Sequence, residues 1–173
     1  IGLALGEAAL EGVGTYAIGG VLLVGAVALL RARAAPLFVE QLGVPALIVG
    51  GSLLGYALFR DLPERSAAAA CAALVGVVVW AVPKPWLRVL LGAGAACLVG
   101  LAVAPIHLSI FGRSEWPGVW LGLHILVAIA LAAAWAQQSL LNGGAEARIA
   151  AAWESLSVGW LLVTLAGLAF WAG

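Results

Sequence analysis

Charge and methionine are what this 173-residue sequence lacks most. Only 9% of its residues are Asp, Glu, Lys or Arg, the eight basic residues balance eight acidic ones, and methionine is absent. So little charge excludes the surface of a water-soluble globular protein, and the even balance excludes the basic field that nucleic-acid binding requires. Because the chain starts at Ile1 without a methionine, we expect the natural start to lie upstream.

Cysteine is also scarce, and familiar catalytic motifs are missing. The two cysteines, Cys71 and Cys97, do not form a CxxC pair, which excludes a zinc ribbon and a secreted disulfide framework. The sequence contains no HExxH, no GxSxG and no glycine-rich phosphate loop. We therefore predict a protein that is not an enzyme and that holds no cofactor or metal.

Apolar runs are what the sequence has in abundance. Hydrophobic residues make up 65% of the chain, and they gather into six runs that approach the length of about 20 residues that a spanning helix needs. We predict an all-α fold, a polytopic transmembrane helical bundle with about six spanning helices. The predicted spans are residues 13–30, 42–59, 67–82, 86–111, 118–136 and 150–171. Residues 13–173 then form a single transmembrane helical domain, and residues 1–12 form a juxtamembrane segment or the end of a truncated span.

The connections between these spans are short, and their positive charges predict an orientation. Short connections make successive helices antiparallel neighbours. Lys and Arg number five in the first, third and fifth connections and three in the second and fourth. Because cytoplasmic loops carry the excess of Lys and Arg in membrane proteins, we predict that the first, third and fifth connections lie in the cytoplasm.

The tryptophans give a separate indication of the span boundaries, because the indole ring prefers the headgroup level of a bilayer. Of the eight tryptophans, only Trp160 lies well inside a predicted span. The others lie near predicted span ends: Trp80, Trp86, Trp116, Trp120, Trp135, Trp153 and Trp171.

Two histidines, His107 and His124, are the clearest ionisable residues inside the predicted spans. They flank the same short connection at similar distances, so they can share one depth in the membrane, and Pro105 can kink the helix beside His107. Three functional interpretations are open: a two-histidine metal site, a haem held by both rings, and a proton relay. We favour a fourth, in which each ring hydrogen-bonds a neighbouring helix or the nearby interface.

Small residues spaced four apart are more frequent than any chemical motif. Two GxxxG motifs and one longer series place a small side chain on one helical face, where helices approach closely in membranes. We predict that these residues pack helices together: Gly51, Gly55, Gly92, Ala96, Gly100, Gly118 and Gly122.

Three segments resemble a known family. They are residues 33–43 (RAAPLFVEQLG), residues 120–124 (WLGLH) and residues 157–160 (SVGW). Their order is similar to that in a family of uncharacterised bacterial polytopic membrane proteins, catalogued as a domain of unknown function and sometimes encoded beside a membrane protein named for a GDYxxLxY motif. The resemblance implies a multi-pass protein of the bacterial cytoplasmic membrane, and it implies no activity or functional residue.

We predict a structural or partner-binding integral membrane subunit, in contact with the lipid bilayer and a possible membrane partner subunit. The alternative is a small-solute or proton-coupled transporter, for which a broken or charged helix near mid-membrane is typical. Only the region from Pro105 to His107 comes near that pattern. A third hypothesis is a metal- or haem-binding membrane protein that uses His107 and His124.

Overall fold

Six helices account for almost all of the chain that the structure describes. The structure is a computed structural model, and it describes residues 12–32, 37–103, 116–138 and 145–172. No strand occurs within these ranges, which confirms the predicted all-α class. The helices are α1 (Val13–Arg31), α2 (Leu37–Asp61), α3 (Glu64–Ala81), α4 (Pro85–Val103), α5 (Trp116–Gln138) and α6 (Ala145–Ala172).

Five of the helices are long and apolar enough to cross a membrane. All five segments begin within three residues of a predicted span. In α5 the fully described apolar stretch is Trp120–Ala132, inside a helix of 23 residues. The segments are Val13–Arg31, Gln41–Asp61, Glu64–Ala81, Pro85–Val103 and Ile149–Ala169. The chain is therefore a multi-pass helical membrane protein.

Two helices begin five residues earlier than the hydropathy pattern indicates. The second predicted span starts at residue 42, whereas α2 starts at Leu37, and α6 starts at Ala145 rather than at residue 150. A helix keeps its backbone hydrogen bonds as it leaves the hydrocarbon layer, so polar residues at a span entrance can stay helical. Pro45 lies inside α2 and has no N–H to donate to the carbonyl of Gln41.

Two predictions fall partly outside the described residues. The fourth predicted span runs to residue 111, and α4 is described to Val103. The proposed juxtamembrane segment is described only at Gly12, which caps α1 with a φ of 82° and is the one described residue with a positive φ. Glycine adopts this backbone region without the penalty that a Cβ imposes.

The helices group into two compact units, one ending at Ala67 and the other beginning at Ala68. That a single domain includes both units stays a prediction. In the first unit α1 packs along α2 as an antiparallel hairpin. A Cβ on Gly50 would lie 2.7 Å from the Leu23 nitrogen, and a Cβ on Gly19 would lie 3.1 Å from the Gly50 carbonyl oxygen. The two backbones touch here because both positions lack a side chain.

Polar side chains of the hairpin gather where α1 begins and α2 ends. The Tyr16 hydroxyl donates to the Ala57 carbonyl at 3.0 Å. Arg60 forms two hydrogen bonds with Asp61, at 2.7 and 2.9 Å, and a longer one of 3.4 Å with the Gly12 carbonyl. The hydrogen bonds to Ala57 and Gly12 join the start of α1 to the end of α2.

In the second unit α6 packs against both α4 and α5. The closest approach joins α4 and α6. A Cβ on Gly159 would collide with the Val89 carbonyl oxygen and would lie 2.6 Å from the Ala93 nitrogen. A Cβ on Gly92 would lie 2.9 Å from the Leu156 Cα. Glycines on both helices therefore let the two backbones meet.

A buried histidine between tryptophans as the candidate functional site

His124 is the largest side chain that the structure buries completely. It lies on α5, one turn into the apolar stretch that begins at Trp120, and its relative exposure is 0%. The ring faces the interior of the second unit, where α4 and α6 also contribute side chains. A polar ring in this position needs hydrogen-bond partners, because burial removes its contact with water and lipid offers none.

One ring nitrogen of His124 has its partner within α5. Nδ1 lies 3.0 Å from the carbonyl oxygen of Trp120, one turn earlier. A carbonyl oxygen only accepts, so Nδ1 carries the proton, and in a neutral ring Nε2 is then an acceptor. Within the described residues Nε2 is buried and has no hydrogen-bond partner.

Two indole rings flank the imidazole. The Trp120 ring centre lies 4.1 Å from that of His124, with 35° between the ring planes. The Trp160 ring centre lies 5.8 Å away, with 31° between the planes. Trp160 is buried, and its Nε1 also lacks a partner in the described part of the chain. The site therefore holds one acceptor and one donor that the described protein leaves unused.

Glycines make the room for this aromatic cluster. A Cβ on Gly100 of α4 would collide with Trp120 Nε1 and would lie 3.2 Å from His124 Cε1. A Cβ on Gly167 of α6 would lie 2.7 Å from Trp120 Cζ3. The Trp120 ring thus lies between two backbones that approach because neither carries a side chain, and this holds Trp120 against His124.

The surroundings of the cluster are apolar. Trp160 belongs to a buried core with small and aliphatic side chains, and further aliphatic residues pack around that core. The core consists of Ala96, Ala128, Leu131 and Trp160, and its neighbours are Val99, Val127, Leu156 and Val163. No described member of this shell carries a charge that could neutralise a charged ligand.

The buried hydroxyls of α6 are bonded within their own helix. Each donates to the carbonyl four residues earlier, a pattern that Ser and Thr adopt in transmembrane helices. The bonds are Ser155 to Ala151 at 2.8 Å, Ser157 to Trp153 at 2.8 Å and Thr164 to Trp160 at 3.0 Å. Each hydroxyl proton therefore already takes part in a hydrogen bond within α6.

The structure describes one of the two predicted histidines. His107, Pro105 and the connection that follows them lie outside the described residues, so a shared site of His107 and His124 stays a prediction. Across the described ranges, no three residues among His, Cys, Asp and Glu come together to hold a metal ion.

The predicted packing residues lie in several environments. On α4, Gly92 meets Leu156, Gly100 meets Trp120, and Ala96 between them is fully buried in the core. Gly51 and Gly122 face open space, with no described atom within 4 Å of a Cβ built on them. Gly55 is half-buried on α2. Gly118 lies in α5 at a position whose surroundings are outside the described part.

Several close-packing glycines were missed by sequence reasoning. Gly50 precedes the GxxxG motif by one residue, and Gly159 and Gly167 lie eight residues apart on α6 with no small residue midway. Only a search for glycines at multiples of four would have found the α6 pair. Trp120 contacts His124 inside the second unit, and its place near the membrane interface stays a prediction. The close-packing glycines that sequence reasoning missed are Gly19, Gly43, Gly50, Gly159 and Gly167.

A family model described as a domain of unknown function, DUF4401, matches residues 1–173. The chain belongs to the DUF4401 family. This confirms the resemblance carried by residues 33–43, 120–124 and 157–160, while the bacterial membrane and the neighbouring partner gene stay predictions. No curated protein and no solved structure matches this DUF4401 chain.

Proposed function

We propose that this DUF4401 protein is a non-enzymatic integral membrane subunit that binds a transmembrane helix of a partner protein. The proposed contact is the part of α2 that contains Gly51, Ser52 and Gly55, which we name the α2 outer face. Binding here would join two proteins within the bilayer without any reaction at the contact.

Support comes from the contrast between two adjacent glycines. Gly50 is needed inside the hairpin, since a Cβ there would lie 2.7 Å from the Leu23 nitrogen. Gly51 points about 100° away around the helix and meets no described atom within 4 Å. A helical glycine costs about 1 kcal/mol relative to alanine. At Gly51 no described contact within the chain offsets that cost, whereas a partner helix would.

The chemistry of the α2 outer face favours a helix as its occupant. Gly51 and Gly55 form a GxxxG motif, which lets a second backbone approach closely, and lipid chains need no such clearance. Ser52 lies between them and is exposed, so its hydroxyl can bond to a helix that docks there. A partner helix with small residues at the same spacing fits this surface.

The test is site-specific photocrosslinking in native membranes. A photoreactive residue replaces Ile48, which is exposed one turn before the α2 outer face. We expect one protein adduct of defined mass, and we expect Gly51→Leu to abolish it. Gly25→Leu is the matched control, because Gly25 also meets no described atom within 4 Å but has no glycine four residues away. The adduct should survive in that variant.

The competing results are distinct. An adduct of twice the chain's own mass would mean that α2 packs against a second copy, which contradicts the partner proposal. Adducts with lipid alone, unchanged by Gly51→Leu, would also contradict it. Gly50→Leu supplies the reference for a broken hairpin, so loss of folding can be told apart from loss of the partner.

A further inference from the structure

Two buried polar atoms in the second unit have complementary roles. His124 Nε2 is an acceptor, because the proton sits on Nδ1 opposite the Trp120 carbonyl. Trp160 Nε1 carries a hydrogen and can only donate. Both atoms are buried and neither has a hydrogen-bond partner in the described residues. A buried polar group without a partner is rare and calls for an explanation.

The rings of His124 and Trp160 are neighbours inside the second unit. Their centres lie 5.8 Å apart with 31° between the planes. An oxygen that bridges two nitrogens makes a hydrogen bond of about 2.9 Å to each of them. One oxygen placed between the rings can therefore accept from Trp160 Nε1 and donate to His124 Nε2. A hydroxyl group or a water molecule does both through one oxygen atom.

The shell around the pair favours a neutral ligand. Its described members are Ala, Leu and Val side chains together with Trp120 and the backbone at Gly100. The described members of this shell offer no opposite charge to compensate an ion, and burial of an unpaired charge is costly in lipid. A neutral hydroxyl needs only the two hydrogen bonds that the pair supplies.

We propose that His124 Nε2 and Trp160 Nε1 together bind one neutral hydroxyl group inside the second unit. The hydroxyl donates its proton to Nε2 and accepts the indole N–H. It belongs either to an ordered water or to a membrane-soluble alcohol, which share this chemistry. The site is separate from the α2 outer face and does not depend on partner binding.

The test is nuclear magnetic resonance of the full chain, with ¹⁵N-labelled Trp and His, in bicelles of deuterated lipid. One sample contains no alcohol and a second contains 1-decanol. We expect a cross peak from the Trp160 indole proton to water in the first sample, or to the decanol methylene protons in the second. The arm in which the peak appears identifies the source of the hydroxyl.

Variants assign the cross peak to Trp160 and test whether the His124 Nε2 resonance depends on the Trp160 N–H. Trp160→Phe keeps a ring but removes the N–H, so the cross peak should vanish and the His124 Nε2 resonance should shift. The indole of Trp135, which is 54% exposed, serves as the control for surface water and should exchange with D₂O much faster than that of Trp160. Trp160→Phe should also lower the unfolding temperature, since it removes a satisfied hydrogen bond.

Three results would overturn the proposal. The first is a sharp Trp160 indole signal with no cross peak to water or decanol. The second is an unfolding temperature that Trp160→Phe leaves unchanged or raises, as expected for a donor that has no partner. The third is a shift of His124 Nε2 on His107→Leu with the Trp160 signal unaffected. That shift would assign the acceptor to the histidine pair expected from sequence.

Discussion

The α1–α2 hairpin and the α4–α5–α6 unit use the same packing device and differ in their polar groups. In each, glycines bring two backbones into contact, at Gly50 in the hairpin and at Gly159 in the second unit. The hairpin keeps its side-chain hydrogen bonds at helix ends, where Tyr16 and Arg60 have partners. The second unit buries His124 with an unused acceptor. Close packing alone thus needs no buried polar ring, and the buried His124 distinguishes the second unit from the hairpin.

The largest effect is expected where backbone meets backbone. In Gly159→Ala the new methyl group would collide with the Val89 carbonyl and lie 2.6 Å from the Ala93 nitrogen. Backbone atoms cannot rotate away, so we expect a loss of about 3 kcal/mol or more in the free energy of unfolding. Gly94→Ala is the control, because no described atom lies within 4 Å there. Denaturant titration in detergent measures both, and equal stabilities would refute the α4–α6 contact.

A smaller effect is expected at the aromatic cluster. In Gly100→Ala the methyl group meets the Trp120 and His124 side chains rather than backbone. Side-chain rings can move where backbone atoms cannot, so we expect a loss of about 1 to 2 kcal/mol and a changed tryptophan emission spectrum. Gly122→Ala, on α5 with open space around it, should leave the spectrum unchanged. A normal spectrum for Gly100→Ala would mean that Trp120 does not contact this glycine.

The smallest effect is expected in the hairpin. Tyr16→Phe keeps the ring and removes only the hydroxyl that donates to the Ala57 carbonyl. We expect a modest drop in unfolding temperature, below that of Gly100→Ala, because the bond lies near the helix ends. An unchanged unfolding temperature would mean that this hydrogen bond does not stabilise the hairpin.

The helices were predictable because hydropathy records which stretches can lie in lipid. The spans from residue 13 and from residue 67 agree with α1 and α3 to within three residues at each end. Helix ends outside the hydrocarbon layer leave no such record, which is why α2 and α6 extend further than predicted. Membership of a domain-of-unknown-function family was likewise evident from short segments.

The packing faces were less predictable than the helices. A small residue every fourth position identifies a stripe but does not say which side of the helix another helix covers. Gly50 and Gly51 are neighbours in sequence, and a rotation of about 100° separates an internal contact from an open face. His124 was recognisable as a buried polar residue. The contact between the His124 and Trp160 rings could not be predicted, because it depends on how α5 and α6 pack.

The hydroxyls of α6 have a consequence for how this protein enters the membrane. Ser155, Ser157 and Thr164 each bond a carbonyl of their own helix. Dehydration of these groups during insertion is therefore compensated before α6 meets α4 or α5. The helix carries three hydroxyls into the lipid yet can leave the insertion machinery as an independent segment. Assembly of the unit can then follow as a second stage, driven by glycine contacts rather than by a search for polar partners.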